Sequence, residues 1–298
     1  MSAVAAIRSW LFVPGDSARK QEKAAACAAD ALILDLEDSV APEALPQARA
    51  QVCEFLQSRR KDLPQQTWVR VNAPGSARLA EDLEAVLAAA PDGIVLPKVS
   101  AREALDVARL LTTLEREHDR PAGATPLLVI ATETAPALFA LGEYATTHNP
   151  RLAAMTWGAE DLSAALGARA YEADGSLSFT FELARSLCLL AAVAANVPAI
   201  DGVCVDFRNA EKLRRESARA ARDGFVGKLA IHPDQVAPIN EAFSPQPQEI
   251  ARARAVIAAF AAAPHAGVLS LDGQMLDRPH LLRAQRILAR ATRARVVP

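Results

Sequence analysis

Ala31-Leu32-Ile33-Leu34-Asp35-Leu36-Glu37-Asp38, Leu127-Leu128-Val129-Ile130-Ala131-Thr132-Glu133-Thr134 and Leu152-Ala153-Ala154-Met155-Thr156-Trp157-Gly158-Ala159-Glu160-Asp161 share one pattern: an apolar run that stops at carboxylates. A short continuous apolar run reads as a parallel strand buried on both faces, and its acidic end reads as a tip entering a polar site. Outward from these three, further strand-like runs occur at Trp10–Val13, Thr67–Val71, Gly93–Leu96, Ala199–Val203 and Phe225–Ile231. The first three refine to Ala31–Leu36, Leu127–Ala131 and Ala153–Thr156, making eight runs separated by helical segments. Eight such units predict an α/β fold, a closed (β/α)8 TIM barrel. The competing open doubly wound sheet would bring an early Gly-x-Gly-x-x-Gly phosphate loop, and that motif is absent.

Helix signals support the alternation. Ser100-Ala101-Arg102-Glu103 is a capping box opening an amphipathic helix through Leu105, Ala108, Leu111 and Leu114. Ser76 similarly precedes Leu79, Leu83, Val86 and Leu87, and Pro91-Asp92-Gly93 ends that helix. Residues 1–245 are expected to form the barrel and 246–298 a C-terminal helical extension and lid. In the extension, a helix is expected over Gln248–Ala263, then a break at Pro264–Val268, then a basic amphipathic helix from His280. That last helix either packs outside the barrel or belongs to a tail reaching a neighbouring subunit.

With 298 residues and 51% hydrophobic content, the chain can bury one large core or two ordinary ones. A formal net charge of -2 argues against a globally basic nucleic-acid binder. No apolar stretch approaches a membrane span, and no secretory leader is visible at Met1–Arg8. Cys27, Cys53, Cys188 and Cys204 lack metal or redox spacing. A soluble cytoplasmic protein with reduced thiols, bound to neither nucleic acid nor membrane, is the expectation.

Placing every strand end at one mouth gathers Pro14-Gly15-Asp16, Glu37 and Asp38, Arg70 and Asn72, Lys98, Glu133, Glu160 and Asp161, Asp206, and Lys228 with His232. Glu133 and Asp161 follow neighbouring strands and form the expected metal pair, because hard oxygen ligands suit magnesium or, in its place, manganese. Alternatively each carboxylate caps the following helix, where it would favour the positive end of the dipole. Glu37 and Asp38 are read as acceptors around the site or partners of Arg70, or Asp38 as a helix cap. Arg70 is expected to share a face with Trp68 and Asn72. Its anionic partner is either Glu37 or a substrate carboxylate or oxyanion. No Ser-His-Asp or Cys-His constellation is visible.

Six ordered motifs then carry a likeness: Leu11–Asp16, Leu34–Asp38, Val69–Asn72, Thr132–Ala135, Trp157–Leu162 and Gly227–Pro233. Together they resemble the citrate lyase β-subunit-like family of CoA-ester lyases, in the HpcH/HpaI aldolase superfamily, over nearly the whole chain. The resemblance implies a TIM barrel assembled as homotrimers or hexamers, with magnesium on Glu133 and Asp161. It makes Arg70, Glu37 and Asp38 catalytic, with Arg70, Phe12 and Pro14 meeting a CoA-thioester substrate. Met275-Leu276-Asp277-Arg278-Pro279 matches the family's lid element, making Asp277 the implied acid/base, contributed to a neighbouring subunit. The implied reaction cleaves a malyl-, citramalyl- or citryl-CoA-like thioester into acetyl-CoA and a 2-oxo acid. The alternatives are a β subunit acting on a carrier-protein thioester within a larger lyase, and a malyl-CoA thioesterase.

Overall fold

The computed structural model describes residues 3–59 and 63–294. Eight parallel strands pair in chain order and close on themselves: β1 (Ser9–Pro14), β2 (Ala31–Asp35), β3 (Gln66–Arg70), β4 (Gly93–Leu96), β5 (Leu127–Ile130), β6 (Leu152–Thr156), β7 (Ala199–Asp201) and β8 (Gly227–Ala230). Closure runs through Ser9↔Lys228, Trp10↔Leu229 and Leu11↔Ala230. The barrel expected from the eight apolar runs is therefore the fold. The largest boundary differences are at β7, which stops at Asp201, and β8, which starts at Gly227. Apolar composition marks burial, not where ladder hydrogen bonds cease.

Helices α1 (Ala18–Ala25), α2 (Leu45–Arg59), α3 (Arg78–Ala88), α4 (Ala101–Glu117), α5 (Ala135–Ala140), α6 (Glu143–Thr146), α7 (Ala159–Leu166), α8 (Phe179–Ala194), α9 (Ala210–Asp223) and α10 (Val236–Phe243) connect and follow the strands. The Ser100–Glu103 capping box is present at α4, with Ala104, Ala108, Leu111 and Leu114 buried. Leu79, Leu83, Val86 and Leu87 form the buried face of α3.

Period-two alternation sends Trp10, Ile33, Trp68, Val95, Leu128, Ile200 and Leu229 into one interior cluster. Residues between them, such as Leu32, Val69, Ile94 and Val129, are equally buried because helices cover the outer face. Trp10 and Trp68 meet edge to face at 5.2 Å. Gly93 on β4 makes room for Trp68, since a Cβ there would lie 2.2 Å from the indole ring. The third strand can thus carry a tryptophan inward only beside a glycine.

Contacts divide the chain into Met1–Asn240 and Glu241–Pro298. The second unit contains α11 (Pro247–Ala262), β9 (Val268–Leu271), β10 (Gln274–Asp277) and α12 (Arg278–Ala294). Ala253, Val256, Leu276 and Ala284 form its own small core. Between the two helices of the expected helical extension lies an antiparallel β9–β10 hairpin that was not expected. Its two-residue turn, Asp272-Gly273, has φ of +52° and +74°, as a twist-matched hairpin turn requires. That Asp-Gly pair, flanked by short apolar stretches, was the available sequence signal.

At the end of the barrel where strands begin, Arg151 just before β6 is locked to Glu115 of α4 by contacts of 2.7 and 2.6 Å. Glu115 also accepts from the Gly123 and Thr125 amides at 2.7 and 2.8 Å. Burial would raise its pKa, but Arg151 and these donors outweigh burial and hold it at about 2. A carboxylate depressed on folding stabilises above its unfolded pKa and loses that contribution as pH falls. Glu115→Gln is expected to cost roughly 3 kcal/mol at neutral pH. Urea denaturation from about pH 7 down to about pH 3 should show the difference from wild type shrinking below about pH 5. A pH-independent difference would contradict this assignment.

Candidate active site at the barrel mouth

The mouth is organised by two cations and five carboxylates. Asp35 ends β2 and Arg70 ends β3, and the two are Cα partners in the sheet. Register therefore puts the guanidinium beside the carboxylate: Arg70 Nε and Nη2 donate to Asp35 Oδ1 and Oδ2 at 2.6 and 2.7 Å. Asp35 further accepts from the amides of Glu37 and Ser39. Arg70 Nη1 lies 2.9 Å from Glu37 Oε2 and 3.8 Å from Asp38. The Phe12 ring lies under the guanidinium, its centroid 4.8 Å from Cζ. Burial alone would lower the Arg70 pKa, but Asp35, Glu37 and Asp38 outweigh it and raise it. Burial pushes Asp35 upward, and Arg70 more than reverses this. Of the five guanidinium N–H groups, two donate to Asp35, and Nη1 meets Glu37 Oε2 as an ion pair without hydrogen-bond geometry. Among the described residues none accepts a hydrogen bond from the other three, which leaves them for another anion.

The sequence pointed to Glu37 as the internal partner of Arg70; Asp35 is the principal one. Asn72 departs from the expected shared face, because β3 ends at Arg70 and strand alternation ends with it. Its amide instead donates to Leu36 O and Asp82 at 2.9 and 2.7 Å.

Lys98, two residues beyond β4, joins the other acids. Its Nζ lies 2.6 Å from Glu37, 3.1 Å from Asp38 and 3.2 Å from Asp161, while its backbone N–H donates to Glu133 Oε2 at 2.6 Å. Asp38 is thus an ion-pair partner and not a cap, since α2 starts only at Leu45. Burial would lower the Lys98 pKa, but Glu37, Glu133 and Asp161 together raise it. Burial raises Glu37, and Arg70 and Lys98 only partly offset this.

Glu133, 4% exposed, lies three residues beyond β5. Gly158 lets it lie against the backbone, because a Cβ there would sit 3.0 Å from Glu133 Oε1. Asp161 is in the first turn of α7, whose N-cap is Gly158, so neither Glu160 nor Asp161 is the cap. Burial and then the neighbouring charge of Asp161 push the Glu133 pKa well up. Two adjacent carboxylates short of positive charge fit a hard divalent cation. Among the described residues no three His, Cys, Asp or Glu converge as a metal cage. Two protein carboxylates suit magnesium, which retains several waters and favours substrate oxygens.

Pro14 ends β1 opposite Asp35, and Phe12 is partly buried beneath Arg70. Lys228, expected at the mouth, sits one residue into β8 and pairs with Asp201 at 2.8 Å. Asp201 also binds Arg185 of α8 and the Trp157 indole N–H, which forms an outer strand–helix network. His232 stacks on Phe207, and Asp206 is exposed. In the second unit, Asp277 directly precedes α12, with Oδ1 2.5 Å from His280 Nδ1. Sequence reasoning assigned no role to Asp35 or His280. Asp35 could have been found by aligning the ends of β2 and β3.

The model of the HpcH/HpaI aldolase/citrate lyase family matches residues 8–233. A (3S)-malyl-CoA thioesterase of Cereibacter sphaeroides is 38% identical over 291 residues, covering 95% of this chain and 94% of that protein. The mitochondrial citramalyl-CoA lyase of Homo sapiens is 33% identical over 300 residues, covering 96% and 85%. The crystal structure of Mycobacterium tuberculosis CitE with magnesium, acetoacetate and coenzyme A superposes with a TM-score of 0.78 at 37% identity, covering 97% of this chain and 99% of that one. No helix among the described residues is long and apolar enough to cross a membrane.

Removing Asp35 would leave a buried guanidinium without its bidentate partner. Asp35→Ala is expected to destabilise the barrel by about 3 kcal/mol in urea denaturation, and a change under about 1 kcal/mol would contradict this role.

Proposed function

Since the chain belongs to the HpcH/HpaI aldolase/citrate lyase family, we propose that it is a magnesium-dependent carbon–carbon lyase acting on a CoA thioester of a 3-hydroxy dicarboxylic type. Malyl-, citramalyl- and citryl-CoA are the expected substrates, and acetyl-CoA and a 2-oxo acid the products. The observation that carries this reading is the half-committed Arg70 fork in the same acidic mouth as Glu133 and Asp161. Glu133 and Asp161 would hold magnesium, with manganese as the expected substitute. When bound, the metal supplies Lewis-acid chemistry that favours loss of the substrate's hydroxyl proton.

The remaining roles fall to the chain. Once Asp277, the implied acid/base, takes the hydroxyl proton, the carbon–carbon bond breaks, the hydroxyl carbon becomes the carbonyl of the 2-oxo acid, and the electron pair passes into the thioester enolate. Arg70, fixed in direction by Asp35, would offset the enolate charge through its uncommitted N–H groups. Phe12 restricts the guanidinium plane, and Pro14 borders the same mouth as a substrate contact. Glu37 and Asp38 hold Arg70 and Lys98 in place. Asp277 is assigned the proton for the enolate carbon on the strength of the Met275–Pro279 element.

The malyl-CoA thioesterase relative favours a second reading, in which hydrolysis of the thioester follows or replaces carbon–carbon cleavage. A third places the chain as a β subunit serving a carrier-protein thioester; co-purification with partner subunits would favour it. We propose homotrimeric or hexameric assembly, supported by exposed Phe179, Leu183, Leu190 and Val193 on one helix, α8. The free thiols of Cys27, Cys53, Cys188 and Cys204 agree with a cytoplasmic setting.

Product analysis with the three thioesters should yield acetyl-CoA and a 2-oxo acid in equal amounts. Free CoA and the intact hydroxy acid, without acetyl-CoA, would instead establish hydrolysis alone. Glu133→Ala and Asp161→Ala should each abolish turnover and calorimetric magnesium binding while the barrel stays folded; wild-type values for either would remove that residue from the metal pair. Arg70→Lys keeps the charge but loses the planar fork, so kcat should fall by about 100-fold or more. Mixing Asp277→Ala with Arg70→Ala subunits, with exchange verified by mass, should restore part of the turnover. No recovery would argue against Asp277 acting in a neighbouring copy.

A further inference from the structure

Lys98 touches both carboxylates of the proposed metal pair through different atoms. Its backbone N–H binds Glu133 at 2.6 Å, and its ammonium lies 3.2 Å from Asp161 Oδ1. The same ammonium contacts Glu37 at 2.6 Å and Asp38 at 3.1 Å. Lysine adopts φ of +50° here, in the left-handed region that non-glycine side chains rarely occupy. Strain of that kind persists where the surroundings over-determine it, and here four carboxylates do so. The side chain is 26% exposed, so water screens these contacts only in part.

Charge decides what this arrangement does. Among the described residues, Asp35, Glu37, Asp38 and Asp161 pair only with Arg70 and Lys98, and Glu133 meets only the Lys98 backbone N–H. Arg70 is committed to Asp35 and Glu37, which leaves Lys98 as the cation serving Asp161. A divalent ion on Glu133 and Asp161 would meet a like charge already at one of its ligands. We propose that Lys98 is a positioning residue that acts as a built-in competitor of the metal, neutralising the acidic mouth when the metal is absent and weakening magnesium binding when it arrives. This inference rests on the assignment of Glu133 and Asp161 as the metal pair. It adds that affinity is held down by an internal cation, so that metal can exchange without the metal-free barrel losing its mouth.

The test is magnesium titration by calorimetry into the full-length protein without substrate, together with melting of the metal-free form. Lys98→Met should bind magnesium about tenfold tighter or more, because a unit positive charge close to the ion is removed. Its metal-free form should melt lower than wild type, and magnesium should raise its melting temperature by more. Lys98→Arg retains the charge and should bind magnesium within about threefold of wild type. If Lys98→Met does not fold, Lys98→Gln supplies the same neutral contrast. Equal or weaker binding by the neutral variant, while Glu133→Ala loses binding, would overturn the competitor role and leave the metal pair standing. Wild-type binding by Glu133→Ala would overturn both.

Discussion

The mouth of this barrel depends on one constraint: five carboxylates share a small space with two cations. Asp35 and Arg70 satisfy each other because β2 and β3 put them in register, and this pair fixes the guanidinium before any ligand is present. Lys98 then ties the acids of the second strand to those following the fifth and sixth. Burial, and then the charge of Asp161, raise the pKa of Glu133, which no side-chain cation contacts directly among the described residues. An isolated buried carboxylate would be costly, so the imbalance fits the proposed divalent cation. The proposed lyase chemistry uses that same imbalance.

Stability and site chemistry occupy opposite ends of the barrel. The Glu115–Arg151 lock lies where β6 begins, whereas the acidic mouth lies where strands end. In barrels of this kind the strand-end face carries the chemistry, and the opposite face can be optimised for stability. Both ends use buried ion pairs, but at Glu115 the hydrogen-bond donors are abundant, and at Glu133 they are scarce.

The barrel was legible because parallel strands covered on both faces read as largely apolar runs, and eight stood out even where Arg70, Asp201 and Lys228 interrupt the third, seventh and eighth. The carboxylates at their ends were equally legible as residues. Their pairing was not, since it depends on register across strands: Asp35 was passed over in favour of Glu37, and Lys228 was placed at the mouth although it pairs outward with Asp201. The site role of Lys98 depends on a left-handed backbone that no local pattern announces. The β9–β10 hairpin was missed for another reason: a two-residue Asp-Gly turn was overshadowed by the helical periodicity on either side. Periodicity reports burial faithfully, while register and backbone handedness are set by the assembled sheet and loops.

The central claim is that Arg70 and the acidic mouth stabilise the enolate of a CoA thioester. Its most direct test is exchange of the acetyl-CoA methyl protons in deuterium oxide, followed by mass spectrometry with magnesium and a 2-oxo acid present. Deuterium should enter the methyl group with wild-type protein, and none above background with Arg70→Ala. Thioester hydrolysis by the wild type with no methyl exchange would contradict it.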